Sequence, residues 1–205
     1  MRFSQVMISL MILCSMASAA SRKSVYRNED YGIFLHIPSG AWLCPYAGGS
    51  DHGPALLLGS EDTSVCRSSS RQKRWIMIFG ESVAEKSKTL HTFLEWLCAN
   101  VPLNWNEPGA VCNSAPANLS VYGLPSEAAR IDHSDGMVEI IVVTQAGRPD
   151  PGFDASVPSF DYDMRLYTDA SHLDVDLAVF RAVLNAVRIA PPPLRVYGQG
   201  PTNAK

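Results

Sequence analysis

AARIDHSDGMVEIIVVTQ, residues 128–145, is the stretch that decides the fold. Asp135-Gly136 lies between two strand-like runs, Ala128 to His133 and Met137 to Gln145, the strongest short-range hairpin signal in the chain. Ile140-Ile141-Val142-Val143 is apolar at four consecutive positions. Successive strand residues point to opposite faces, so this run belongs to a central strand covered on both sides.

Around that hairpin the apolar pattern supplies further strands. Gly32 to Ile37, closed by Pro38, reads as one. Ala55 to Leu58 is a short second, and Trp75 to Phe79, ended by Gly80, a third. Asp161 to Tyr167 alternates Tyr162, Met164 and Leu166 inward against Asp163, Arg165 and Tyr167, and reads as the last strand. Residues 20 to 30 are polar and read as a loose lead-in.

Two segments change period. Leu90, Phe93, Leu94, Leu97 and Cys98 recur at helical spacing, with Ser87 or Thr89 to cap the start and Pro102 to stop the run. Leu173, Leu177, Phe180, Leu184 and Val187 do the same, with Ser171 as the cap and Pro191-Pro192-Pro193 as the stop. Irregular connections occupy residues 100–126 and 146–160. Strands, a helix, more strands and a closing helix predict an α+β fold: an α/β sandwich with a mainly antiparallel sheet and two principal helices.

This order of elements resembles the PsbP-like fold, named for the extrinsic subunit of the photosynthetic oxygen-evolving complex. The residues that carry the resemblance are Tyr31-Gly32-Ile33-Phe34-Leu35-His36-Ile37-Pro38 with Trp42 after it, and Thr89-Leu90 with Phe93-Leu94. Leu166-Tyr167-Thr168 through Phe180-Arg181-Ala182-Val183-Leu184 completes the pattern. It covers most of residues 25 to 190, at the level of fold alone, and the cysteines are not part of it. The resemblance implies a binding or assembly role without catalysis, and carries over no binding residue.

The amino-terminal segment says where the protein works. Arg2 is a short positive region, Val6 to Leu13 is apolar apart from Ser9, and Ala17-Ser18-Ala19 offers a small-x-small cleavage pattern. Residues 1–19 therefore read as a signal peptide, since the apolar stretch is about half of the roughly 20 residues that span a bilayer. Cleavage there leaves one expected domain over residues 20–190 and a Pro/Gly-rich disordered tail over 191–205. The expected location is periplasmic or secreted, with no stable membrane insertion. Removing Arg2 takes the formal charge from −3 to −4, so the chain lacks the basic footprint of a nucleic-acid binder. Arg67, Arg71, Lys73 and Arg74 form a local basic loop too short to change that reading.

Four cysteines remain after cleavage: Cys44, Cys66, Cys98 and Cys112. An even number in an oxidising compartment predicts two disulfides, with three possible pairings. Cys44–Cys66 and Cys98–Cys112 are favoured because each closes a short, loop-rich stretch, a constraint worth roughly 3 kcal/mol. No close C-x2–4-C pair points to zinc, and the five histidines are scattered, so neither a metal nor another cofactor is expected.

Catalytic signatures are weak. Asp51-His52-Gly53 lies in a glycine-rich loop beside Cys44 and most simply reads as a turn before a strand. Asp132-His133-Ser134-Asp135 contains triad residue types, but neighbours at a hairpin tip do not converge as a triad does. Asp150, Asp154, Asp161 and Asp163 offer carboxylates for a calcium ion or an acid pair, although solvated acids are the plainer reading. Trp42, Trp75 and Trp96 read as packing residues. Trp105, in Leu103-Asn104-Trp105-Asn106, sits in the long cysteine-tethered connection, where an exposed aromatic anchors a partner. Asn118-Leu119-Ser120 matches the glycosylation acceptor pattern, relevant in a eukaryotic host.

These observations predict an exported, disulfide-stapled, non-enzymatic binding module whose loops 44–54, 100–125 and 146–160 meet a protein partner. The binding candidates are His52, Asn104, Trp105 and Asn106. An inhibitor or immunity protein against a cell-wall-directed toxin fits that location and size. The rival expectation is an envelope hydrolase using His52 or the carboxylates of Asp150, Asp154, Asp161 and Asp163.

Overall fold

The computed structural model describes residues 25–44, 52–67, 74–83, 89–100, 112–147 and 159–190. The signal segment, the tail, Asp150, Asp154, Asn104, Trp105 and Asn106 lie outside them.

Among the described residues ten strands form two antiparallel sheets, with two helices packed on them. In chain order the strands are β1 (Val25–Asn28), β2 (Ile33–His36), β3 (Ala41–Leu43), β4 (Ala55–Leu58) and β5 (Trp75–Val83). Helix α1 (Leu90–Asn100) follows, then β6 (Asn113–Ser114), β7 (Ser126–Asp132), β8 (Met137–Gly147) and β9 (Ser159–Asp169). Helix α2 (Leu173–Ala186) and β10 (Val187–Ile189) close the described chain. The large sheet runs β3-β4-β5-β9-β8-β7-β6, and the small one β1-β2-β10. This is the expected α+β class.

Strand β8 lies inside the large sheet and uses both faces, as its unbroken apolar run requires. Val138, Ile140 and Val142 enter the main core, while Ile141 and Val143 enter a second cluster on the opposite face. The β7–β8 hairpin is pinned by His133 N donating to Met137 O at 2.9 Å, with Gly136 at φ +84°, a left-handed turn position that suits glycine.

The main core lies between the large sheet, the small sheet and α2. Ile76, Ile78, Tyr162, Met164 and Leu166 meet Ile33, Leu35 and Val187, together with Leu177, Phe180, Val183 and Leu184. Ile76, Ile78, Ile33, Leu35 and Phe180 are all fully buried, and each large apolar side chain contributes about 1.5–3 kcal/mol relative to exposure. The opposite face is covered by two separate patches. Phe93, Leu94, Leu97 and Cys98 of α1 pack on Ala129, Ile131, Ile141 and Val143. Cys44 and Cys66 pack on Ala55, Leu57 and Met77.

Four details differ from the sequence reading. Residues 25–28 form β1 instead of lying loose; as an edge strand that covers little core, it shows only weak apolar alternation. Ala41–Leu43 and Asn113–Ser114 are strands too short to leave a periodic signature. Strand β9 is not the last, because Val187 leaves the helix and opens β10. Its N–H still donates to Val183 O while its ψ turns to 137°, so the apolar helical spacing runs straight through the change of structure. Finally, the α2 start is held by Asp169 instead of the Ser171 side chain: Asp169 Oδ1 accepts from Ser171 N at 2.9 Å and His172 N at 3.1 Å.

Both favoured disulfides are formed. The Cα atoms of Cys44 and Cys66 are 5.7 Å apart, and those of Cys98 and Cys112 5.8 Å. Among the described residues no helix is long and apolar enough to cross a membrane.

Candidate functional site

Alternation along β9 creates the most unusual environment in the molecule. While Tyr162, Met164 and Leu166 enter the main core, Asp161, Asp163, Arg165 and Tyr167 line the opposite face, between the α1 patch and the Cys44–Cys66 patch. Solvated acids were the expectation here. Instead Asp161 is 3% exposed, Asp163 0% and Arg165 2%. Glu139 on β8, opposite Tyr167, is also fully buried.

These side chains are joined to one another and to neighbouring polar groups. Arg165 Nε donates to Asp163 Oδ2, and Arg165 Nη1 donates to Glu139 Oε1 at 3.4 Å. The other oxygen of Glu139 accepts from His133 Nε2 at 3.2 Å, and the His133 ring meets the Tyr167 ring edge-on at 5.5 Å. Asp161 Oδ1 accepts from Gln145 Nε2 at 2.8 Å. Taking an ion out of water costs several kcal/mol, so Asp163, Glu139 and Arg165 persist here because each meets an opposite charge. Burial alone would lower the Arg165 pKa; Asp163 and Glu139 outweigh it and hold the guanidinium above its usual range. The strip is a charge network built into the sheet, flanked on either side by a disulfide.

His133, read in the sequence as part of a hairpin-tip cluster, belongs to this network. His52 does not. It sits on the main-core side of β5, where its Nδ1–H donates to Gly80 O at 3.0 Å and its ring stacks on Tyr31 at 4.8 Å. The Tyr31 hydroxyl approaches His52 Nε2 at 3.4 Å. Gly80 is required here because a Cβ would stand 2.3 Å from the Tyr31 ring. Tyr162 completes the corner by donating its hydroxyl to Tyr31 O at 2.7 Å, and burial, with the neighbouring Tyr31, pushes its phenol up. Asp161 and Asp163 face the other side of the sheet, so the structure does not bring His52 and these carboxylates into one cleft.

Ser171, His172 and Asp169 contain triad residue types in mutual contact. His172 Nδ1 lies 2.8 Å from Asp169 Oδ2 and 3.1 Å from Ser171 Oγ. A relay needs one ring nitrogen for the acid and the other for the hydroxyl, whereas here a single nitrogen meets both. The cluster is a helix cap. Its hydrogen bonds, from Ser171 first, hold the Asp169 carboxyl down to about 2 against the opposing effect of burial. On α1, His91 meets Glu127 at 3.1 Å and Glu95 at 3.4 Å in an exposed trio. No group of three or more His, Cys, Asp or Glu among the described residues is arranged to hold a metal ion. Trp96, expected to pack, is 45% exposed on the outer face of α1, because it falls off the Phe93–Leu94–Leu97 stripe.

No protein-family model matches the chain, and no curated protein matches its sequence. The PsbP-like likeness therefore stays a resemblance. Among solved structures, the chain is similar to LpqN, involved in cell envelope biogenesis of Mycobacterium tuberculosis. The alignment covers 78% of this chain and 83% of that one at 11% identity, with a TM-score of 0.48. A likeness of that size concerns the fold and transfers no residue or role.

Proposed function

We propose that this protein is an exported, non-enzymatic binding module of the cell envelope that meets a protein partner through disulfide-rooted loops. The observation that carries the reading is the placement of the two disulfides. Both lie on the face of the large sheet opposite α2, one on each side of the charged β9 strip. Cys44 follows β3 directly, where residues 45–51 begin, and Cys98 and Cys112 bracket residues 99–111, which include Asn104, Trp105 and Asn106. Anchoring the roots of two connections on one rigid face lowers the ordering cost that a loop-borne partner site would otherwise meet on binding. The apolar amino terminus with its Ala17-Ser18-Ala19 pattern supports export, and the PsbP-like order of elements supports a binding role. A partner that is a cell-wall-directed toxin, held in an inhibitor or immunity complex, fits the same features.

The test is affinity capture from envelope extract with the oxidised, signal-cleaved protein, followed by a binding titration against the captured species. A stoichiometric protein partner whose affinity falls on Trp105→Ala and on disulfide reduction is the expected result. Capture that is indifferent to both changes would sink the loop assignment.

A further inference from the structure

The outer face of the small sheet carries a second, independent surface. Antiparallel partners share a face, and the register aligns Arg27 with Phe34 and Phe34 with Arg188. The neighbouring pair is Val25 and His36. Ile33, Leu35 and Val187 alternate into the core, so Arg27, Phe34, His36 and Arg188 point outward. Beyond β10, Tyr122 extends the row: it is 62% exposed, and the Arg188 guanidinium lies 4.2 Å from its ring centre. Tyr122, Arg188, Phe34 and Arg27 thus form a line of ring, cation, ring, cation across the strands.

The described arginines differ in what they hold. Arg74, Arg130 and Arg165 each meet a carboxylate in the fold. Arg188 is oriented by the carbonyls of Asn185 at 2.6 Å and Val187 at 3.0 Å, and Arg181 by that of Ala117 at 3.2 Å. Among the described residues neither has a carboxylate partner. Arg27 pairs with Glu29 at 3.3 Å, but both side chains are at least 70% exposed, and such a pair is worth about 0–1 kcal/mol and exchanges readily. In a chain of net charge −3 this face is a local reversal of sign.

We infer that this face binds an anionic polysaccharide whose sugar rings bear carboxylates. Sugar C–H faces stack on the aromatic rings, and guanidinium planes take carboxylates through paired hydrogen bonds. The backbones at Arg27 and Arg188 stand two strand spacings apart, about 9.5 Å, with Phe34 between them. An extended acidic peptide offers the arginines carboxylates but has no sugar ring to lay on Phe34 and Tyr122. A ring polymer laid across the strands meets the alternating row in turn. This surface is separate from the loop site proposed above, and either assignment can fail without the other.

The test uses the oxidised full mature chain and immobilised polygalacturonate, with neutral dextran and poly-L-glutamate as comparisons. Polygalacturonate binding that weakens with salt is expected, together with a loss of about tenfold for Arg27→Gln, Arg188→Gln and Phe34→Ser, the scale of one charged hydrogen bond or stacked contact. Arg130→Gln on β7, outside this face, leaves binding unchanged. Arg27→Gln sits on an exposed edge and reads the site even where Arg188→Gln disturbs the end of α2. No binding to polygalacturonate, or an equal loss in Arg130→Gln, overturns the inference. Equally tight binding of poly-L-glutamate overturns it too, and assigns the face to an acidic polypeptide.

Discussion

Replacing Arg165 by methionine is the sharpest probe of the charged strip. The guanidinium is 2% exposed and stands between Asp163 and Glu139, with 3.4 Å to the latter. At an effective dielectric of about 20 that single attraction is roughly 5 kcal/mol before the desolvation cost is subtracted. Removing the cation leaves two carboxylates buried without it, and breaking a buried pair in this way costs about 3–5 kcal/mol. Against a typical total stability of about 5–15 kcal/mol this is a large share. Urea unfolding followed by tryptophan fluorescence reads it as a fall in midpoint of about 2 M. The triple variant Arg165→Met/Asp163→Asn/Glu139→Gln removes all three charges and is expected to recover most of the loss. Should Arg165→Met cost under about 1 kcal/mol, the strip is solvated and the reasoning from burial is wrong. A triple variant no better than the single one would equally refute the charge argument.

Three further outcomes are expected. Gly80→Ala drives a Cβ into the Tyr31 ring and lowers stability by about 1–3 kcal/mol, with much of the loss recovered in a Tyr31→Ala background, as a thermal-unfolding double-mutant cycle would show. Asp169 has a folded pKa of about 2 against an ordinary 3.8, so its stabilising contribution is present above pH 3.8 and is lost as pH falls toward 2; Asp169→Asn should flatten the stability profile across that window. Converting Cys44 and Cys66 to alanine opens a link of sequence separation 22 and should lower stability by about 3 kcal/mol, while peptide mapping without reductant recovers the Cys98–Cys112 link intact.

What the sequence made legible follows the strength of local pattern. Ile140 to Val143 announces a strand with two covered faces, and Asp135-Gly136 announces its hairpin. The Phe93–Leu94–Leu97 and Leu177–Phe180–Leu184 stripes place both helices. Strand β10 is hidden because Val187 satisfies helical spacing and strand burial at once. Strand β1 is hidden because it is an edge strand whose residues are exposed or half-buried, which leaves little apolar alternation to read. The charged strip was misread for a related reason: Asp163-x-Arg165 looks like an outward face when only β9 is considered. Its burial depends on α1 and the Cys44–Cys66 region arriving from elsewhere in the chain. One sign was present, in that Glu139 interrupts the apolar run Met137-Val138-Glu139-Ile140-Ile141 in a strand with no face left for water.

Strand β2 is held on one side by β1 and on the other by β10, the last described strand. Its second partner is therefore synthesised about 150 residues after it, as the spacing of Leu35 and Val187 shows. Until α2 and β10 exist, Ile33 and Leu35 have no Phe180 or Val187 to pack against, and the small sheet lacks an edge. Completion of the small sheet is consequently a late event, whereas every strand of the large sheet is in place once Asp169 has been made.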